Sequence, residues 1–199
     1  MSKASLKIIA AASLLLAATA CTSSGEKGKP NPTSGASPTS GSSGSARELP
    51  KRPAELKLDG VDACKLLTQA QMDQVKVAET VPRKLEVANL GEAPGCFYEN
   101  GLKYTYAASL ITNKGVPFWL SGSGNVDVKV VDVAGYGAAQ ITLTGTQGFD
   151  CAVAVDVAEG QQLHFLYSPG SEKGDSQEQM CSKVNKAAAL AVETLKTLK

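Results

Sequence analysis

Five cysteines and one histidine are the side chains with the most chemistry open to them in this 199-residue chain. They are Cys21, Cys64, Cys96, Cys151, Cys181 and His164. A thiol can be acylated, oxidised to a disulfide or bound to zinc, and its sequence surroundings indicate which of these applies. Cys21 stands apart because it directly follows a short apolar run over 8–20 that Lys3 and Lys7 precede. A basic start, a short apolar segment and small residues before a cleavage point are typical of a secretory signal.

The residues around Cys21 resemble a bacterial lipobox, since the small residues Ala18, Thr19 and Ala20 lie directly before the thiol. The resemblance implies diacylglyceryl transfer to the thiol, cleavage before it, and acylation of the new amine by a fatty acid such as palmitate. We therefore expect a signal peptide over 1–20 and lipidation of Cys21, which would hold the protein on the extracytoplasmic face of the cell membrane. An uncleaved anchor and a plain secretory signal are the alternatives. The apolar run is shorter than the roughly 20 residues that a membrane-spanning helix needs.

The charge balance argues against nucleic acid as a partner. The chain carries 20 Lys and Arg against 19 Asp and Glu, and cleavage after residue 20 would leave 18 against 19. A near-neutral chain without a basic block offers no electrostatic footprint for nucleic acid or for an anionic membrane surface. We therefore expect the lipid at Cys21 to supply the membrane attachment.

Composition divides the chain after the signal into two parts. The segment 21–54 is rich in Ser, Gly and Pro, and it cannot bury enough apolar surface to offset the entropy of ordering. We expect a disordered linker there and one folded domain over 55–199, a length that can hold its own core.

Local patterns in 55–199 predict an α+β domain. Asp62–Thr68 indicates a short helix, and the capping-box spacing of Thr68 and Gln71 indicates a second. Asn100-Gly101 between β-rich runs predicts a two-residue hairpin turn. Apolar residues at spacings of three and four predict a terminal helix over 176–198. Strands are expected at 96–99, 102–112, 126–133, 140–144, 151–157 and 162–167, with 76–95 irregular or weakly extended and a break at 135–139.

These elements predict an antiparallel sheet of about five to six strands, packed against the C-terminal helix and the short N-terminal helices. With Cys21 assigned to lipid, four cysteines remain, and an even number in an exported chain is typical of two disulfides, with three possible pairings. The sequence contains no paired C-x-x-C spacing, so it does not predict a zinc site. Cys151 shares a strand face with three valines, and Cys181 lies close to the apolar stripe of the final helix. We predict the disulfides Cys64–Cys96 and Cys151–Cys181.

The order of these features is similar to that of a known family. The features are the lipobox, the polar linker, the DACKLLT run at 62–68, the Cys-aromatic turn at 96–98, the Gly-Tyr-Gly-Ala-Ala run at 135–139, the Cys-bearing valine strand and the Cys-bearing last helix. Over roughly 58–199 the chain resembles actinobacterial lipoproteins that carry the domain of unknown function numbered 3558. The resemblance implies an envelope lipoprotein and no established reaction, so no functional residue is carried over.

Candidate catalytic residues are not evident, and we expect no enzyme, no metal and no cofactor. Ser121 and Ser123 do not form Gly-x-Ser-x-Gly, and His164 is expected to face solvent or a polar edge. Phe118, Trp119 and Leu120 form an apolar triplet in a Gly-rich segment, which indicates a possible contact patch. We expect a membrane-anchored binding module for an unidentified envelope partner. The alternative is a carrier of a lipid or other apolar ligand in a pocket between sheet and helix.

Overall fold

Seven antiparallel strands form a single sheet in the computed structural model, which describes residues 48–122, 124–145, 149–171 and 174–198. Cys21, the expected signal peptide and most of the expected linker lie outside the described residues. The strands are β1 (Glu79–Val87), β2 (Gly91–Glu99), β3 (Tyr104–Ile111), β4 (Val126–Val133), β5 (Tyr136–Leu143), β6 (Cys151–Ala158) and β7 (Gln161–Pro169). Their order is β1-β2-β3-β7-β6-β5-β4, so the pairing of β3 with β7 joins two meanders.

Three α-helices and one 3-10 turn accompany the sheet: the turn at Ala63–Lys65, α1 (Gln69–Gln74), α2 (Pro117–Leu120) and α3 (Gln177–Leu195). Both longer helices begin with a capping box, of which the sequence predicts the one on α1. Thr68 and Gln71 form a capping box on α1, and Ser176 and Gln179 form one on α3. The α+β class and the C-terminal helix are therefore confirmed. Within the described residues no helix is both long and apolar enough to cross a membrane.

The strand count exceeds the expected five to six because 79–99 is a regular hairpin. β1 and β2 pair over nine positions, from Glu79 opposite Glu99 to Val87 opposite Gly91. β1 is an edge strand that is mostly exposed and contains Pro82 next to Arg83 and Lys84. Proline and charge are tolerated at a sheet edge, where they also discourage pairing with another chain. Of the two alternatives for 76–95, the weak strand around 85–87 lies within β1, whereas the full hairpin was not expected because an edge strand needs no apolar alternation.

Two turns also differ from expectation. The loop between β2 and β3 spans four residues, 100–103, closed by the Lys103 amide donating to the Asn100 carbonyl at 3.0 Å. The expected break at 135–139 is a two-residue turn at Ala134 and Gly135, with φ of 54° and 85°, followed directly by β5. Positive φ at both positions suits the twist of a tight hairpin.

The sheet has a core on each face. On one face α3 packs across β6 and β7, where Val153, Val155 and Leu163 are fully buried. On the other face a smaller core gathers around Trp119, with Ala152 and Ala154. The alternation of β6 in the sequence predicts its valine face as the core face, and the structure covers the opposite face as well. Every residue of β6 is buried because the strand lies inside the sheet between two covered faces.

Both predicted disulfides are confirmed. Cys64 on the 3-10 turn is bonded to Cys96 on β2, and Cys151 at the start of β6 is bonded to Cys181 on α3. One bridge ties the N-terminal helical turn to the sheet, and the other ties α3 to the strand beneath it. Each bridge therefore joins two elements that are distant in sequence.

Candidate ligand-binding groove

A half-open groove of about 370 Å³ lies on the sheet face opposite α3. Its floor crosses four strands, because Ala107 on β3 pairs with Leu166 on β7, Leu166 with Ala152 on β6, and Ala152 with Ile141 on β5. Residues in one such row point to the same face of a sheet. The full lining is Leu85, Glu86, Val87, Ala88, Phe97, Ala107, Ser109, Trp119, Val126, Ile141, Thr142, Leu143, Asp150, Ala152, His164 and Leu166.

The groove exists because small side chains form part of its floor and larger ones form its walls. Ala107, Ser109 and Ala152 leave space above the strands, whereas Leu85 and Trp119 rise beside it. Gly95 lies next to Ser109 in the β2–β3 register. A Cβ at Gly95 would come within 2.5 Å of Leu85 Cδ1 and 2.6 Å of the Ala108 carbonyl oxygen. Glycine at this position therefore allows the Leu85 side chain to lie against the sheet.

Trp119, the only tryptophan of the chain, is held in place by a buried glutamine. Its indole Nε1 donates to Gln162 Oε1 at 2.7 Å, and Gln162 Nε2 donates to the Lys114 carbonyl at 2.7 Å. Gln162 is completely buried and spans from β7 to the loop before α2. A buried indole N–H needs a partner, and the glutamine supplies one. Gln162 carried no signal in the sequence, where it is one polar residue near a strand end.

His164 lies on the floor beneath Trp119, where the two rings stack with centroids 6.0 Å apart. It is only 6% exposed, and burial lowers its pKa to about 4, so the imidazole is neutral at pH 7. Ser109 is its direct cross-strand neighbour on β3 and is also buried. Among the described residues neither the imidazole nor the Ser109 hydroxyl has a hydrogen-bond partner. Two polar groups with unused hydrogen-bonding capacity therefore lie side by side in an apolar groove.

The charged groups that line the groove are acidic. Asp150 and Glu86 are part of the lining, and burial raises the pKa of the Asp150 carboxyl. No lysine or arginine is among the described residues that line it. Arg83 lies outside the lining, over the ring of Phe97 at 6.0 Å from the centroid. The electrostatic environment therefore disfavours an anionic group in the groove.

Several sequence-based expectations about the site were wrong. Trp119 is 4% exposed and forms a wall of the groove, while Phe118 and Leu120 are half-buried, so the triplet is not an exposed patch. His164 points into the groove and not to solvent, because the second face of β7 is covered by α2. The expected space between sheet and helix is filled by α3 side chains, including the fully buried Val184 and Ala188.

Other candidate sites are weaker. A larger cleft of about 590 Å³ lies between residues 48–55 and the β6–β7 turn, but its charged lining is already engaged in the Arg52 ion pairs with Asp156 and Glu159. Ser109 and His164 are not hydrogen-bonded to each other, so the described residues do not form the nucleophile–base contact of a hydrolase. No cluster of metal-ligating side chains occurs within the described ranges.

The comparisons with known proteins place the chain in one family. A family model described as "Protein of unknown function (DUF3558)" matches residues 16–194. No curated protein matches the chain, and no solved structure matches it. The groove therefore has to be interpreted from its own geometry.

Proposed function

Because this chain belongs to the DUF3558 family, whose description assigns no activity, we propose its function from the groove: it binds an apolar small ligand there. The observation that carries the proposal is the groove itself, about 370 Å³ and walled by Leu85, Trp119 and Leu143. Small-molecule sites occupy roughly 300–1,000 Å³ and are lined mainly by apolar and aromatic side chains with a few polar groups. The volume is near the lower end of that range, which suits one acyl chain or a compact apolar molecule.

We further propose that the binding domain is a lipoprotein held outside the cytoplasm, at the cell membrane, by a lipid on Cys21. The support is the apolar run before Cys21 together with the two disulfides of the domain. Disulfides persist in oxidising compartments and are rare in the cytosol. Membrane attachment would place an apolar-ligand site close to a source of such ligands.

Ligand binding is tested with the full chain carrying Cys21→Ser, which removes the acylation site, purified without detergent. We expect extraction and mass spectrometry to recover an apolar molecule that copurifies in near-stoichiometric amount. After delipidation, monoacylglycerol should change the fluorescence of Trp119, which reports directly from the groove wall as the only tryptophan.

A matched pair of variants tests whether binding occurs in the groove. Ala107→Leu adds bulk to the groove floor, whereas Thr105→Leu adds bulk on the same strand and face but outside the lining. Ala107→Leu should abolish copurification and the fluorescence response, and Thr105→Leu should retain both. Absence of any bound molecule and of any response in the parent chain would refute the proposal.

A second candidate function is docking of an envelope protein over the groove mouth. The observation that favours it is the exposure of two apolar side chains in this region, Leu143 at 44% and Phe149 at 71%. A photo-crosslinking residue at Phe149 should then capture one protein in intact cells, and the same residue at the exposed Leu102, in the β2–β3 loop, should not. Equal labelling at both positions would rule out docking at this surface.

The anchor is tested by metabolic labelling with palmitate in a bacterial host. The parent chain should incorporate label and sediment with membranes, and Cys21→Ser should lose both properties. Label in the Cys21→Ser chain would contradict the assignment of the lipid to Cys21.

A further inference from the structure

We propose that Ser109 and His164 form a polar anchor in the groove that selects amphiphiles with an uncharged hydrogen-bonding head, such as an alcohol, ester or glyceride, over anionic ones. This inference rests on the proposed function of the groove and specifies which class of apolar ligand it accepts.

Ser109 and His164 have hydrogen-bonding capacity that none of the described residues uses. His164 is 94% buried, lines the groove, and has no hydrogen-bond partner among the described residues. Neither the His164 nitrogens nor Ser109 Oγ is among the described polar atoms that are fully removed from solvent without a partner, so both groups are open to the groove. A purely apolar ligand would displace water from them and leave them unpaired, whereas a ligand with a hydrogen-bonding head would replace the water.

His164 and Ser109 together present hydrogen-bond donors and acceptors to a ligand in the groove. A neutral imidazole carries one N–H donor and one acceptor nitrogen, and a serine hydroxyl can both donate and accept. Ser109 and His164 are cross-strand partners on adjacent strands, so both project from the same place on the floor. Such a pair can bond a hydroxyl or a carbonyl oxygen of one ligand head group.

The charged side chains that line the groove disfavour an anionic head group. The acidic residues of the lining are Glu86 and Asp150, and no basic residue balances them among the described lining residues. A carboxylate or phosphate head in this groove would lose its hydration without gaining a cation, which is unfavourable in a low-dielectric site. A neutral head loses less hydration and gains the two hydrogen bonds.

Apolar side chains lie on two sides of Ser109 and His164. Trp119 stacks over His164, and Leu85 lies beside Ser109 across Gly95. The anchor is therefore flanked by apolar walls on two sides. The head of an amphiphile would lie on the floor at Ser109 and His164, with its chain against these walls.

The experiment compares three probes of equal chain length, decan-1-ol, decanoate and decyltrimethylammonium, by titration of Trp119 fluorescence. The protein is the full chain with Cys21→Ser, delipidated, at pH 7.5. We expect decanol to bind about tenfold more tightly than decanoate, whereas decyltrimethylammonium, whose head forms no hydrogen bond, should bind independently of Ser109 and His164. The single variants Ser109→Ala and His164→Phe should each weaken decanol binding about fivefold and leave decanoate binding nearly unchanged, because one neutral hydrogen bond contributes roughly this factor.

A control variant and a fold check keep the test decisive. Ser168→Ala changes a serine on the same face of β7 but outside the groove lining, and it should bind decanol like the parent. If His164→Phe fails to give the circular dichroism spectrum of the parent, Ser109→Ala carries the test alone. Equal affinity for decanol and decanoate in the parent, or a decanol preference that is undiminished in Ser109→Ala, would overturn the polar anchor while leaving the apolar groove intact. If no probe alters the fluorescence of the parent chain, the groove function itself fails.

Discussion

His164 is a largely buried imidazole without a hydrogen-bond partner among the described residues, and its nitrogens are not among the polar atoms fully cut off from solvent. They are therefore open to the groove, where water or a ligand can bond them. The imidazole adds no packing that a leucine or phenylalanine could not supply beneath Trp119. Polar groups that sit in an apolar groove and keep free hydrogen-bonding capacity tend to occur at functional sites, where a ligand can bond them. At the scale of single residues, His164 and Ser109 are therefore the best evidence for function.

Acid should destabilise the domain through His164. Its pKa falls from an unfolded value of 6.5 to about 4 in the folded protein because burial disfavours the charged ring. As the pH drops below about 6.5 the unfolded chain binds a proton first, so stability is full above that pH and declines until about pH 4. The free energy of unfolding should fall by about 3 kcal/mol over this window. Urea unfolding followed by Trp119 fluorescence at a series of pH values measures it.

His164→Phe is the control for this prediction, since it keeps an aromatic ring and removes the titration. Asp150 acts in the opposite sense, because its raised folded pKa favours protonation in the folded state, but it contributes equally to parent and variant. The difference in stability between the two proteins should depend on pH below 6.5. A constant difference would show that the imidazole is not held neutral.

Gln162→Leu should destabilise the domain by about 2 kcal/mol, because it leaves the Trp119 indole N–H and the Lys114 carbonyl without their partner. Urea unfolding monitored by circular dichroism measures the loss. In a Trp119→Phe background the indole donor is already absent, so the same substitution should cost clearly less. Equal costs in both backgrounds would mean that the glutamine does not act through the indole.

At the scale of elements, β6 explains why the two disulfides differ in their surroundings although their loops are similar. Cys151 begins a strand that is buried on both faces, and its partner Cys181 is buried in the α3 interface. Cys64 is half-buried on a 3-10 turn near the N-terminal side of the domain. The Cys151–Cys181 bridge thus lies inside the main core, whereas the Cys64 end of the Cys64–Cys96 bridge lies near the surface of the domain.

Removal of either bridge should destabilise the domain, and removal of Cys151–Cys181 should cost more. Sequence separations of 30 and 32 predict a loss of about 3.5 kcal/mol for each in the chain-entropy model. Cys151→Ala with Cys181→Ala also leaves a cavity between two buried positions, which adds to the loss. The double variant Cys64→Ala with Cys96→Ala is the matched comparison. A smaller loss of unfolding free energy for the core pair than for the Cys64 pair would contradict the argument.

Elements with their own local signal were predictable from the sequence. The stripe on α3 and its Ser176 cap, or the alternation of β4, depend on residues three, four or two positions apart. β1 was not predictable, since its exposed charges and Pro82 are compatible with a strand only because it lies at the sheet edge. The edge position is a property of the sheet order, which no local pattern reports.

At the scale of the whole molecule, residues 52–56, which precede the 3-10 turn, are attached to β6 and the β6–β7 turn. Arg52 Nη1 donates to both carboxylate oxygens of Asp156, at 2.8 and 2.7 Å, and Arg52 Nη2 to Glu159 at 3.0 Å. The Leu56 amide donates to the Val157 carbonyl at 2.7 Å. These contacts fix the point at which the chain from the N-terminus joins the sheet.

Arg52→Ala should loosen this attachment. The Asp156 side chain is only 9% exposed, and loss of its cation leaves a desolvated carboxylate, whose pKa burial already raises. We expect a loss of about 1–3 kcal/mol at neutral pH, diminishing in acid as Asp156 becomes protonated. Hydrogen exchange of the Leu56 amide should accelerate. Lys51→Ala, an exposed neighbour, is the control, and equal exchange rates in both variants would refute the role of Arg52.

The sequence by itself determined the features that follow from short-range order: the α+β class, the terminal helix, the hairpin strands and the pairing of Cys151 with Cys181. Only the tertiary structure decided where a ligand could bind. His164, Ser109 and Trp119 come from two strands and the short helix α2, and each looks ordinary in its own segment. The groove arises because small residues of β3 and β6 lie on one face of the sheet and Trp119 of α2 covers part of that face. That juxtaposition depends on strand order and register, which are set by packing between segments distant in the chain.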